Sequence, residues 1–140
     1  MAKAKILVVD DEEAIREVVS TLLEAQGHEC ASVSNGRLAQ EYLGKQPVDL
    51  VLSDMVMPEM DGLSLVEWLH KADPDIPVIM VTAMHDLSTA LEAIRRGAYD
   101  YILKPFEKDQ LYLSVRRALE HRHLVLENRN YQRNLEKLVE

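Results

Sequence analysis

The chain has 140 residues, 47% hydrophobic, 29% charged and only 5% aromatic, which suits one globular domain with a mostly aliphatic core. Its formal net charge of −8 repels a phosphate backbone and argues against nucleic-acid binding by this segment. A single cysteine, Cys30, excludes an intramolecular disulfide, and no apolar run approaches the roughly 18–20 residues of a membrane span, so a cytoplasmic protein without membrane contact is expected.

Along the chain, short aliphatic runs alternate with amphipathic stretches. Ile6–Val9 is a continuous aliphatic run that reads as a strand buried on both faces. Ile15, Val18, Val19 and Leu22 then share one helix face, and Gly27 stands where that helix stops. Cys30–Val33 is a weaker strand, with the cysteine as a small apolar side chain. Leu38, Ala39, Tyr42 and Leu43 mark a second helix, closed near Gly44 and Pro47. Val48–Leu52 is a third strand, and Leu63, Val66 and Leu69 mark a helix that stops before Pro74. Val78–Val81 is a fourth strand, Leu87–Arg96 a helix ending at Gly97, and Tyr99–Leu103 the last strand. Five strands alternating with five helices through short connections predict an α/β fold, a doubly wound parallel sheet with helices on both faces.

The final helix begins near Glu107 and meets neither proline nor glycine through Glu140, enough for roughly 50 Å. Leu111, Val115, Ala118 and Leu119 can pack on the sheet. Beyond them Leu124, Tyr131 and Leu138 recur every seventh residue, with Asn128 and Leu135 between, the spacing of a heptad seam. A domain over residues 1–120 and a helical, coiled-coil-like extension over 121–140 are therefore expected. The extension invites a homodimer, and its end in mid-helix reads as a piece cut from a longer protein with a further output domain.

Three acids stand at strand ends: Asp10 and Asp11 after Val9, and Asp54 just past the third aliphatic run. In an open parallel sheet such ends converge where the strand order reverses. Carboxylates so gathered raise one another's pKa unless a cation is present, and oxygen donors of this kind suit Mg²⁺. One acid would suffice as a helix cap, and a cap does not explain Asp54. Thr82 and Lys104 follow the fourth and fifth strands and add a hydroxyl and an ammonium fit for phosphoryl oxygens.

The runs ILVVDDE, VLSDMVMPEMDG, VTA and YILKPF, in this order, resemble the signature of response-regulator receiver domains over about Lys3–Leu119. The resemblance implies a five-stranded flavodoxin-like fold of strand order 2-1-3-4-5. It implies that Asp54 is the phosphoacceptor and that Asp10, Asp11, Asp54 and the backbone carbonyl of Val56 hold Mg²⁺. It further implies that Lys104 binds the phosphate, that Thr82 and Tyr101 form the switch pair, and that the Lys104–Pro105 peptide is cis. The implied partner is a sensor histidine kinase or phosphotransfer protein. The tail resembles the linker helix of multidomain regulators, particularly those with an HD-GYP phosphodiesterase output.

Other readings are weaker. A haloacid-dehalogenase-like phosphatase needs two acids spaced two apart after its first strand, and a cap domain. A nucleotide-binding domain needs a glycine-rich phosphate loop, and none occurs. A phosphorylation-silent dimerisation module is the remaining alternative. Met84 and Val56 are placed to influence water access to Asp54. Met55, Met57 and Met60 read as packing residues, and His28, His70, His85, His121 and His123 show no metal-site spacing.

Overall fold

A computed structural model describes residues 3–83 and 87–139, with side chains through residue 137. The elements run β1 (Lys5–Val9), α1 (Glu13–Ala25), β2 (Glu29–Val33), α2 (Gly36–Leu43), β3 (Leu50–Asp54), α3 (Gly62–Ala72), β4 (Val78–Ala83), α4 (Leu87–Arg95), β5 (Asp100–Lys104) and α5 (Lys108–Val139). The five strands form one parallel sheet in the order β2-β1-β3-β4-β5. This is the flavodoxin-like order that the resemblance implied.

Alternation along each strand sends neighbouring side chains to opposite faces. Ile6 and Val8 of β1, Leu50 and Leu52 of β3 and Ile102 of β5 face α1 and α5, where Val19, Leu23, Leu111, Val115 and Ala118 close a buried layer. Leu7, Val9 and Val51 face the other way, towards Ala39, Leu65, Val66, Leu69 and Ala93 of α2, α3 and α4. Because both faces are covered, the central strands β1, β3 and β4 are largely aliphatic, and this is why their runs were legible. Met55 and Met57 are buried in the second layer and Met60 packs against it, as their packing role required.

The third strand differs from its expected bounds. It occupies Leu50–Asp54 rather than Val48–Leu52. Asp49 is held outside it by an exchange with the start of β1: its N–H donates to the Lys5 carbonyl at 2.8 Å, and its carboxylate accepts from the Lys5 N–H at 2.9 Å. At its other end the strand runs on because Ser53 pairs with Val9 and Met80 and Asp54 with Val81, so Asp54 is the last strand residue rather than a loop residue. Gly27 and Gly97 take φ of 92° and 122° after α1 and α4, as the chain needs to leave those helices.

The loop after β3 closes through the Gly62 N–H, which donates to the Met55 carbonyl at 2.9 Å. A Cβ on Gly62 would lie 2.5 Å from the Asp54 carbonyl oxygen, with no room to retreat from backbone. At Gly44 the nearest neighbours would be 3.5 Å away. Gly62→Ala is expected to destabilise the fold by roughly 2–3 kcal/mol in urea unfolding, and Gly44→Ala by less than about 0.5 kcal/mol.

Candidate functional site: an acidic pocket at the carboxyl edge of the sheet

The chain leaves β1 towards β2 on one side and returns to lay β3 on the other. The connections after β1 and β3 therefore diverge and open a crevice at the carboxyl edge of the sheet. Register fills that crevice. Val9 pairs with Ser53, which sets Asp10 beside Asp54; Asp54 pairs with Val81, so Thr82 lies one residue on; and Ala83 pairs with Lys104.

Lys104 links the two acids. Its Nζ lies 3.3 Å from Asp10 Oδ2 and 3.5 Å from Asp54 Oδ1. Asp10 is buried, its Oδ1 accepts the Glu12 N–H at 2.9 Å, and its carbonyl accepts from Arg16 at 2.7 Å. Asp54 Oδ1 also accepts the Met55 N–H at 2.8 Å. Burial, then the Asp10 charge, nevertheless push the Asp54 carboxyl above its usual range, against the pull of Lys104 and the Met55 amide. Burial pulls Lys104 down, but Asp54 and then Asp10 outweigh it and leave its pKa raised. The two directions are compatible: the lysine has two anions for one cation, and each anion has only a share of it.

Among the described residues, one group of three acids offers oxygens within 4.8 Å of one another: Asp10, Asp11 and Glu12. Glu12 had no role in the sequence reading, although it completes the DDE run. An all-oxygen donor set of this charge, beside an aspartate short of positive charge, fits a hard divalent cation such as Mg²⁺.

Thr82 is 1% exposed, and its Oγ1 is a buried side-chain oxygen with no hydrogen-bond partner among the described residues. Such a group costs stability unless something else satisfies it. Tyr101 is half-buried and packs against the α2–α4 layer. Val56 stands exposed in the loop after β3, and the Lys104–Pro105 peptide is cis, as the resemblance implied. Met84 and His85 lie outside the described residues. Cys30 sits in β2 away from the crevice, and burial pushes its thiol up to about 11, in keeping with a packing role.

The family model for the response regulator receiver domain matches residues 6–116. The chain belongs to the response regulator receiver domain family. It is therefore a module of two-component signalling. The receiver is 40% identical over 131 residues to the regulatory protein AtoC of Escherichia coli (strain K12), a match covering 94% of this chain and 28% of AtoC. Its fold superposes on NtrX from Brucella abortus in complex with ADP with a TM-score of 0.90 at 39% identity, covering 93% of this chain and 30% of that one. The signal receiver domain of an HD domain-containing protein from Pseudomonas fluorescens Pf-5 matches with a TM-score of 0.85 at 33% identity, covering 91% and 94%. The chain thus spans under a third of the length of AtoC and of NtrX. Among the described residues, no helix is long and apolar enough to cross a membrane.

A carboxyl whose folded pKa is raised contributes stability below its unfolded value, near 3.8, and loses that contribution as pH rises through the folded value. At neutral pH and without metal, ionised Asp54 therefore costs the receiver stability. Asp54→Asn is expected to raise Tm at pH 7 in chelator by a few degrees, on the order of 1 kcal/mol. The gain should shrink as pH falls towards 4, which thermal melts across that range would read.

Proposed function

We propose that this receiver takes a phosphoryl group onto Asp54 from the phosphohistidine of a sensor kinase or phosphotransfer protein, and that the acyl phosphate biases an attached output. The observation that carries the reading is Lys104, poised between Asp10 and Asp54 beside the unpartnered hydroxyl of Thr82. An Asp54 oxygen attacks phosphorus, the O–P bond forms as the N–P bond of phosphohistidine breaks, and the imidazole leaves with the electron pair and takes up a proton. Such a transfer needs positioning and charge neutralisation more than covalent chemistry from the protein. Lys104 supplies one positive charge at the site.

Asp10, Asp11 and Asp54, with the Val56 carbonyl, would hold Mg²⁺, and Glu12 joins them as a candidate for the outer shell. The bound cation would neutralise phosphoryl oxygens and the crowded carboxylates. Thr82 Oγ1 gains an acceptor when a phosphoryl oxygen arrives, and this rewards its movement towards Asp54. Tyr101, against the α4 side of the sheet, then repacks into the space left behind. The receiver catalyses no turnover beyond gaining and losing its own phosphate.

In the same reading the tail over 121–140 is the segment between receiver and output, and two copies pair through it. Leu124 and Tyr131 support this: they are 62% and 64% exposed, seven residues apart, with exposed Asn128 and Leu135 on the same stripe.

Acetyl phosphate with Mg²⁺ is expected to add one phosphoryl mass to the receiver, with none gained in chelator or by Asp54→Asn. No gain in the wild type would favour the silent dimerisation module, and a gain surviving in Asp54→Asn would mean another acceptor. Separately, millimolar Mg²⁺ should raise Tm by a few degrees, and Asp11→Asn should weaken that response about tenfold in midpoint concentration.

A further inference from the structure

The opposite edge of the sheet carries a charged cluster that the phosphotransfer reading does not use. Asp49 precedes β3, and Asp75 lies between α3 and β4. Arg122 of α5 reaches both: one guanidinium nitrogen donates to the Asp75 carbonyl at 2.8 Å, and Nε lies 3.4 Å from Asp49 Oδ1. One turn-pair further on, Arg129 pairs with the Asp75 carboxylate. Asp49 in turn accepts the first N–H of β1, so the Arg122 contact ties the helix to two strands. His121 packs over Tyr99 at 5.0 Å between ring centroids, and the Tyr99 hydroxyl donates to the Arg117 carbonyl at 3.4 Å.

These contacts are unlike ordinary surface ion pairs, which contribute little. One partner of each pair is partly withdrawn from screening: the Asp75 side chain is 13% exposed and that of Arg122 19%, against 47% for Arg129 and 42% for Asp49. A fork-shaped guanidinium that meets a carbonyl and a carboxylate also fixes orientation as well as distance. The last buried apolar anchor of α5 is Ala118. Past it, a helix without tertiary partners would fray within a turn or two. Arg122 and Arg129 lie one heptad apart on the stripe that faces the sheet. Leu124, Tyr131 and Leu135 fall roughly 130–170° round the helix from it, at about 100° per residue.

We propose that Asp49 and Asp75 form an ionic clamp on Arg122 and Arg129 that makes residues 119–131 one rigid body with the receiver and fixes the rotation of the tail, turning its apolar seam outward. The clamp grips the middle of α5, away from the acidic pocket. Lys104, which touches Asp10 and Asp54, precedes the first residue of α5 by four positions. About 21 Å of helix separates Lys108 from Arg122. The clamp itself stands on the geometry of the lower edge and does not depend on phosphorylation of Asp54.

Hydrogen exchange on the full chain, followed by mass spectrometry of peptides, tests it. The wild type should protect amides of residues 119–131. Arg122→Gln should speed their exchange about tenfold or more, and Asp75→Asn, which breaks the Arg129 pair but leaves the carbonyl that Arg122 meets, should do so around Arg129, with peptides of β1, β3 and β4 unchanged. Because a paired seam would also protect the tail, the same comparison is made in Leu124→Ser/Tyr131→Ser, which removes the seam and leaves the clamp. Protection that persists there and is lost on adding Arg122→Gln together with Asp75→Asn supports the clamp. Protection lost with the seam alone, or unchanged by both clamp variants, overturns it.

Discussion

The crowding of Asp10 and Asp54 at one sheet edge, with the Lys104 ammonium between them, is the constraint from which the rest of the receiver follows. Burial weakens the hydration that normally supports a carboxylate, and Asp10 and Asp54 share one ammonium rather than owning one each. Metal-free, the pocket is therefore held against its own repulsion by the fold around it. A site in that condition gains from any cation and from any group that brings positive charge or hydrogen bonds with it. The same condition that costs stability makes the pocket responsive.

The fold supplies the opposing stability through two aliphatic layers. Ile6, Val8, Leu50, Leu52, Ile79, Val81 and Ile102 meet α1 and α5, while the alternate residues meet α2, α3 and α4. Parallel strands buried on both faces leave little freedom of register, because a one-residue slip would turn each strand's side chains to the wrong layer. Fixed register is what places Thr82 one rung beyond Asp54 and Lys104 opposite Ala83. Among the described residues, the Thr82 hydroxyl is a buried side-chain oxygen without a partner, and it occurs at the pocket.

The two ends of the sheet divide the labour. The carboxyl edge gathers like charges that need a visitor. The amino edge gathers opposite charges that satisfy one another, Asp49 and Asp75 with Arg122 and Arg129. α5 touches both, beginning just after Lys104 and passing the lower ion pairs before it leaves the domain. A single helix that starts by the crowded carboxyl edge and is gripped further along by ion pairs at the amino edge passes both ends of the sheet.

By itself the sequence determined the number, order and type of elements, because periodicities of 2 and 3.6 are local and both faces of the sheet demand aliphatic strands. It also determined the acids, hydroxyl and lysine at strand ends, and through the resemblance their family. Tertiary structure alone decided which of them touch. Lys104 and Asp10 are 94 residues apart in the chain, and only the strand order brings them to 3.3 Å. The bounds of β3 were missed because the exchange between Asp49 and Lys5 is a contact between strands, invisible to any window along one of them. Glu12 was written in the DDE run, yet its place among the acids depends on how α1 leaves β1. The pairing of Arg122 with Asp49 and Asp75 had no local signal, since charges on an exposed helix look alike until a neighbour across the fold selects one.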